Sequence, residues 1–310
     1  MPCTDYPAGV LALDGQPDGE FAGSMLFARA ILDNRSWVAN VGFSRQTAGF
    51  RADAGFMPRT DLTQRWAFAS RRWYGTSASF FSELRLAGGG WSDVTTSGGE
   101  LVSQGGWFVA QVRGPGQSMV FLNPNVYEQR FAGQDFRLAD LTFGIEASPT
   151  RWLSATVNGL AGHGLDIANA RRARELRLQP ALTLRPGRRL ESRLSLAYQR
   201  LDTSGGQRIL DAAVSEARLI YNFSHRAFVR AILQYRRTDR AAEHFQDPVS
   251  PVRESALTQL LFSYKVNPRT ALYLGYSDNR EGLLDTDATR VHLTPTGRTL
   301  FFKVGYAIQR

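Results

Sequence analysis

Five arginines, Arg51, Arg177, Arg193, Arg218 and Arg230, each stand in a segment that alternates apolar and polar residues, and each falls on the polar parity. Glu83, Glu191 and Asp53 share that parity. Residues two apart in a strand point to the same face, so these charges would line one surface. A guanidinium is permanently charged and offers paired donors to a carboxylate or phosphate. Two chemistries follow: a lining knitted by cross-strand ion pairs, or a lining that attracts anions to a pore.

Other reactive residue types are sparse. The four histidines, His163, His225, His244 and His292, do not pair with one another at metal-ligand spacing. Ser195 or Ser263 with one of them is the raw material for a barrel-borne hydrolase, if folding brings them together. Gly162–Asp166 and Asp278–Gly282 resemble calcium-loop fragments but lack the alternating acidic ligands that calcium takes. Cys3 is the only cysteine, which excludes an intrachain disulfide and a thiolate metal site. No metal and no cofactor is assigned.

The elements that must carry these residues are strands. Trp37, Ala39, Val41 and Phe43 alternate with Val38, Asn40, Gly42 and Ser44, and Phe50, Ala52, Ala54 and Phe56 with Arg51, Asp53 and Gly55. The same period runs through Leu176–Leu184, Leu190–Tyr198, Ala217–Phe223, Val229–Tyr235, Leu260–Val266, Leu272–Tyr276 and Leu300–Ile308. Asp33-Asn34, Pro58–Asp61, Pro115-Gly116, Ser148–Thr150, Arg185–Gly187, Asn222–His225 and Asn267–Arg269 read as tight turns. Ser92–Gly99, Ala132–Asp135, Asp202–Gln207, Thr238–Glu254 and Asp278–Gly297 read as longer, more polar connections. Short and long connections roughly alternate, as they do between the two rims of an outer-membrane barrel.

No run of about 18 apolar residues exists, so no transmembrane helix is expected; alternating strands can span a membrane without one. Aromatic residues near strand ends would form interfacial girdles: Trp37, Phe56, Trp66, Trp73, Tyr74, Trp91, Trp152, Tyr198, Tyr221, Tyr235, Tyr264, Tyr276 and Tyr306. The expected fold is all-β: a transmembrane antiparallel up-and-down β-barrel of about 16 strands, closed alone or forming an arc of a larger barrel. A soluble pair of β-sandwiches would need a linker, and no composition break supplies one. Residues 1–19 read as a truncated or disordered leader and 20–310 as the barrel.

The formal charge is +9, and of 37 basic residues only Lys265 and Lys303 are lysine. The arginines are spread along the strands, which favours a rim or lumen role over a nucleic-acid stripe. Outer-membrane lipid and lipopolysaccharide are the expected partners, with no nucleic acid. Met1–Asp18 carries no cationic start followed by an apolar core. An outer-membrane location therefore implies that the signal peptide lies upstream of this chain.

Several segments carry a resemblance: Val41–Asp61, Arg226–Tyr235, Gln259–Arg269, Leu274–Asn279 and Arg298–Tyr306. Together they resemble the C-terminal barrel of the domain-of-unknown-function 5916 family, from about Phe21 onward. The resemblance implies a secreted outer-membrane protein whose full-length form has an N-terminal family-9-type carbohydrate-binding module before a long run of strands. The module, the signal peptide and the earlier strands are absent here. The chain end also resembles the signal read by the barrel-assembly machinery: Lys303, Gly305 and Ile308 fit it, and the terminal Arg310 departs from it. The implied function is a non-enzymatic outer-membrane barrel linked to carbohydrate binding or to passage of saccharides or other solutes. The alternatives are a barrel-scaffolded hydrolase acting on glycans or lipids, and a structural barrel with a plugged lumen.

Overall fold

A computed structural model describes residues 22–51, 59–245, 247–284 and 291–307. Fifteen strands occur among them, in chain order: β1 (Met25–Asp33), β2 (Trp37–Gln46), β3 (Leu62–Tyr74), β4 (Glu83–Thr95), β5 (Leu101–Gly114), β6 (Ser118–Phe131), β7 (Gln134–Thr150), β8 (Leu153–Asp166), β9 (Arg171–Leu184), β10 (Leu190–Thr203), β11 (Arg208–Asn222), β12 (Ala227–Arg240), β13 (Val252–Asn267), β14 (Thr270–Leu283) and β15 (Thr294–Tyr306). They form one up-and-down antiparallel sheet in sequence order. Single-turn 3-10 segments at Ile167–Asn169 and Ala242–His244 break up two of the connections. The alternation at Phe50–Phe56, read as a strand, runs into residues 52–58 and lies mostly outside the described residues, as does the leader before Ala22.

Several connections are shorter than the polar composition implied. Ala132 and Gly133 alone join β6 to β7, with φ of 48° and 77°. Two successive positive φ values are what a two-residue hairpin needs to match strand twist. Asp202 and Thr238 lie inside strands, and β14 runs on to Leu283, so Asp278–Gly282 is strand rather than loop. Gly162–Asp166 is likewise the end of β8. Ser148–Thr150 is not a turn: it closes β7 at a register shift, and the turn follows at Arg151-Trp152. A proline is tolerated at such an irregularity because no ladder donor is required there.

The residues divide into two compact units: residues up to Trp73 with Arg85–Ala110 and Pro124–Ala139, and Tyr74–Leu84 with Gln111–Asn123 and Asp140 onward. In each unit the face that alternation marks as apolar is the exposed one. Along β6, Val120, Leu122 and Val126 are 43%, 49% and 66% exposed, while Phe121, Asn123, Asn125 and Tyr127 between them are half-buried. The buried side chains of β2 and β3 are polar: Asn40, Ser44, Thr63 and Ser70. A water-soluble sheet would show the opposite.

Glycines let aromatic rings lie flat across neighbouring strands. A Cβ at Gly42 would collide with the Trp66 ring, one at Gly144 with Phe121, and one at Gly275 with Phe301. Each ring covers backbone that a glycine leaves bare, which lets the sheet coil without a gap.

Candidate functional site

The register fixes which side chains share the polar face. In the first unit Asn40 lies opposite Phe68, Gly42 opposite Trp66 and Ser44 opposite Gln64. Trp66 Nε1 donates to Asn40 Oδ1 at 3.0 Å, and Phe27 packs against the indole with centroids 6.0 Å apart. Trp91 Nε1 donates to Ser103 Oγ at 3.1 Å, and Ser103 Oγ donates to Asp93 Oδ2 at 3.1 Å. Two further ring pairs, Phe68–Trp107 and Trp91–Tyr127, have centroids 6.1 and 6.3 Å apart. Trp66 and Trp91 therefore do not belong to an interfacial girdle. Their strand parity turns them onto the polar face, where each indole N–H has a partner. Aromatic type alone does not reveal the face; the parity of Asn40 and Ser44 does.

In the second unit the polar face carries the predicted arginines. Arg177 of β9 bonds to Glu175, which also accepts from Gln199 Nε2 at 2.8 Å. Arg193 of β10 lies directly opposite Arg218 of β11, an arrangement of like charges. Arg218 reaches Glu216 at 3.3 Å, and its buried Nε has no hydrogen-bond partner among the described residues. Arg230 of β12 is on the same face, opposite Ile220 and Leu261. Arg51 is a correction: it is exposed and on no strand, because β2 ends at Gln46. The alternation around it continues past the point where β2 loses its partner. Among the acids, Asp53 lies outside the described residues, Glu83 opens β4, and Glu191 pairs with Arg185 at 2.9 Å.

The apolar face of this unit has a layered order. Reading toward the loop end, β10 presents Leu194, Leu196, Tyr198, Arg200 and Asp202; β12 presents Leu233, Tyr235, Arg237 and Asp239; β14 presents Leu274, Tyr276, Asp278 and Arg280. Greasy residues thus give way to tyrosine and then to charge on three strands. The charges are paired. Arg200 meets Asp202 at 3.0 Å, and Arg237 meets Asp239 at 2.9 Å and Glu254 at 3.0 Å. Arg280 and Arg298 share Asp278 at 2.9 and 3.5 Å. At the opposite end the same face carries Tyr221, Tyr264 and Tyr306. In the first unit Arg71 lies over the rings of Trp37 and Trp73, at 4.8 and 5.5 Å.

At the loop end a strap folds over the polar face. Asn169 Nδ2 donates to Asp166 Oδ2 at 2.8 Å and to the His244 carbonyl oxygen at 2.6 Å. The Ala241 N–H donates to the Ile209 carbonyl at 3.1 Å. Asp166, Ala173, Thr203 and Ile209 are buried near it.

The hydrolase constellation is split. Ser195 is on the polar face of β10, while His163 is on the apolar parity of β8, opposite Arg174. Ser263 and His225 do line one cavity, but no carboxylate among the described residues lines it to orient the imidazole. In the assembly motif, Lys303 and Gly305 face Tyr273 and Ala271 of β14; Ile308 lies outside the described residues.

No family model and no curated protein sequence matches this chain. Among solved structures, in-vitro folded OmpT, an outer membrane protein of Vibrio cholerae, aligns over 92% of this chain and 95% of its own at 8% identity, with a TM-score of 0.36.

Proposed function

We propose that this chain is wall material of a bacterial outer-membrane β-barrel, and that its polar face conducts small polar solutes, saccharides among them. One observation carries the reading: the exposed face is apolar and ringed by aromatics, while the polar face holds the buried hydrogen-bond networks. Backbone in lipid must be fully hydrogen-bonded, which leaves helices and closed sheets as the only spanning structures. No helix among the described residues is long and apolar enough to span, so the strands are the candidates. The belt has a suitable height. Ala256 sits opposite Tyr235 of the loop-end ring, and Tyr264 of the turn-end ring is eight residues further along β13. At about 3.4 Å per residue and a tilt of about 40°, that is roughly 21 Å, close to the apolar band of outer-membrane barrels.

The saccharide class is supported by the aromatic rings of the first unit's polar face. Trp66, Phe68, Trp91, Trp107 and Tyr127 stand beside Asn40, Gln64, Asp93 and Ser103. Sugars offer apolar ring faces and a rim of hydroxyls, and this mixture of flat rings and amide, carboxyl and hydroxyl groups complements both. The resemblance to a family with a carbohydrate-binding module points the same way. Refolded protein should migrate faster unboiled than boiled, and its proteoliposomes should admit oligosaccharides in a swelling assay. Trp91→Ala should slow that entry relative to salt. Identical migration boiled and unboiled would sink the barrel reading, and unchanged oligosaccharide entry in the variant would sink the saccharide reading.

A further inference from the structure

We propose that the turn end of the second unit is a binding mouth for soluble solutes that carry several phosphate or carboxylate groups. This deepens the passage reading and rests on it. Three turns, Arg185–Arg189 after β9, Phe223–Arg226 after β11 and Pro268-Arg269 after β13, lie at the same end of an up-and-down sheet. They bring Arg188, Arg189, Arg226 and Arg269, with Lys265 of β13, to one cavity of about 960 Å³. All five are exposed. Among the described residues none of the five side chains makes an ion pair or hydrogen bond, and no carboxylate lines the cavity.

Five like charges in one concave surface repel each other and raise the local concentration of anions. A monovalent ion would answer one of them. A polyvalent oxyanion answers several at once, and the guanidinium fork matches two oxygens of a phosphate or carboxylate. The walls show which side the mouth serves. Ser263, Lys265 and Tyr273 are on the polar face of β13 and β14, opposite to the face that carries Phe262, Leu274 and Tyr264. Most of the cavity's strand lining is therefore on the solute side of the sheet, with Ala227, Thr270 and Tyr306 at its rim on the side assigned to lipid. Further along that face come Arg230, Arg218 and Arg193, the last two directly opposite each other; among the described residues only Arg218 of the three meets a carboxylate, that of Glu216. An anion released from the mouth would meet these next.

The test uses the whole 310-residue chain refolded in a neutral detergent, with tripolyphosphate as the probe in calorimetric titration. The wild type should bind it, and the double variant Arg226→Gln/Arg269→Gln should bind at least about tenfold more weakly, as expected for two lost charge-assisted contacts. Arg200→Gln, on the apolar face at the other end, should bind like the wild type. Folded protein that does not bind, or a double variant that binds equally, overturns the site and leaves the barrel reading standing. Displacement by phosphatidylglycerol doped into the micelles at equal phosphate concentration assigns the cations to lipid headgroups and also overturns it. Protein that shows no heat-modifiable migration overturns the barrel reading and the mouth with it.

Discussion

The two ends of the second unit handle charge differently. At the loop end Arg171, Arg200, Arg237, Arg253 and Arg280 each meet a carboxylate, at 2.8 Å for Arg171 and no more than 3.0 Å for the others. Arg172, Arg174, Arg208, Arg236 and Arg240 there lack such a partner among the described residues. At the turn end Arg185 pairs with Glu191, while Arg188, Arg189, Arg226, Lys265 and Arg269 meet no carboxylate among the described residues. Half-exposed pairs contribute little stability each, about 0–1 kcal/mol. The pairing at the loop end therefore fixes geometry more than it adds stability: it ties hairpins whose strands run on past the apolar belt. The unpaired cations at the turn end hold nothing together and instead set a field. One end is built as structure and the other as an attractor.

That contrast requires a lipid-facing belt between the ends, so the largest expected effect is there. Leu274→Arg puts a charge between Phe262 and Phe302 on the apolar face and should cost about 2–4 kcal/mol in guanidinium unfolding from vesicles. Gln259→Arg, at a similar depth on the polar face, should cost far less. Equal losses would mean that the two faces meet the same medium, and the comparison of the ends would lose its frame.

A smaller effect is expected at the strap. Asn169→Ala removes both bonds that link Asp166 to the Ala242–His244 segment. The loss should be about 1 kcal/mol of global stability, with faster proteolysis between residues 241 and 251. An unchanged cleavage rate would show that the strap is held by other contacts. Arg237→Gln, which strips Asp239 and Glu254 of their partner, should cost less than about 1 kcal/mol because the guanidinium is half-exposed.

Much of this was legible in the sequence, and the remainder failed for one physical reason. Period-two alternation gives strand faces without any partner, so the polar parity of Arg177, Arg193, Arg218 and Arg230 could be read directly. Register cannot be read that way. Arg237 and Glu254 are far apart in sequence and meet only because β12 pairs with β13 in one offset. The tryptophans show the same limit: Trp66 has alanines at Ala67 and Ala69 as its strand neighbours, so its own segment marks no clear apolar side, and β2 decides its face. Arg51 failed because alternation continues where pairing stops. The turn-end mouth was present as three separate turn signals. Grouping them needed only the rule that every second connection of an up-and-down sheet lies at the same end.

The smallest stability effect is expected where the charge argument is strongest. Arg193→Gln and Arg230→Gln together remove two polar-face cations that have no carboxylate partner among the described residues. No bond is broken, and at Arg193 the repulsion with Arg218 is relieved. Stability should stay within about 0.5 kcal/mol of the wild type, as for other substitutions that break no specific interaction. The field along the polar face should nevertheless weaken, so chloride permeability should fall relative to potassium in planar bilayers. Because Arg188, Arg189, Arg226, Lys265 and Arg269 remain, tripolyphosphate binding at the mouth should hardly change. A variant that loses stability but keeps its selectivity would place Arg193 and Arg230 with the structural charges of the loop end, and the division between the two ends would fall.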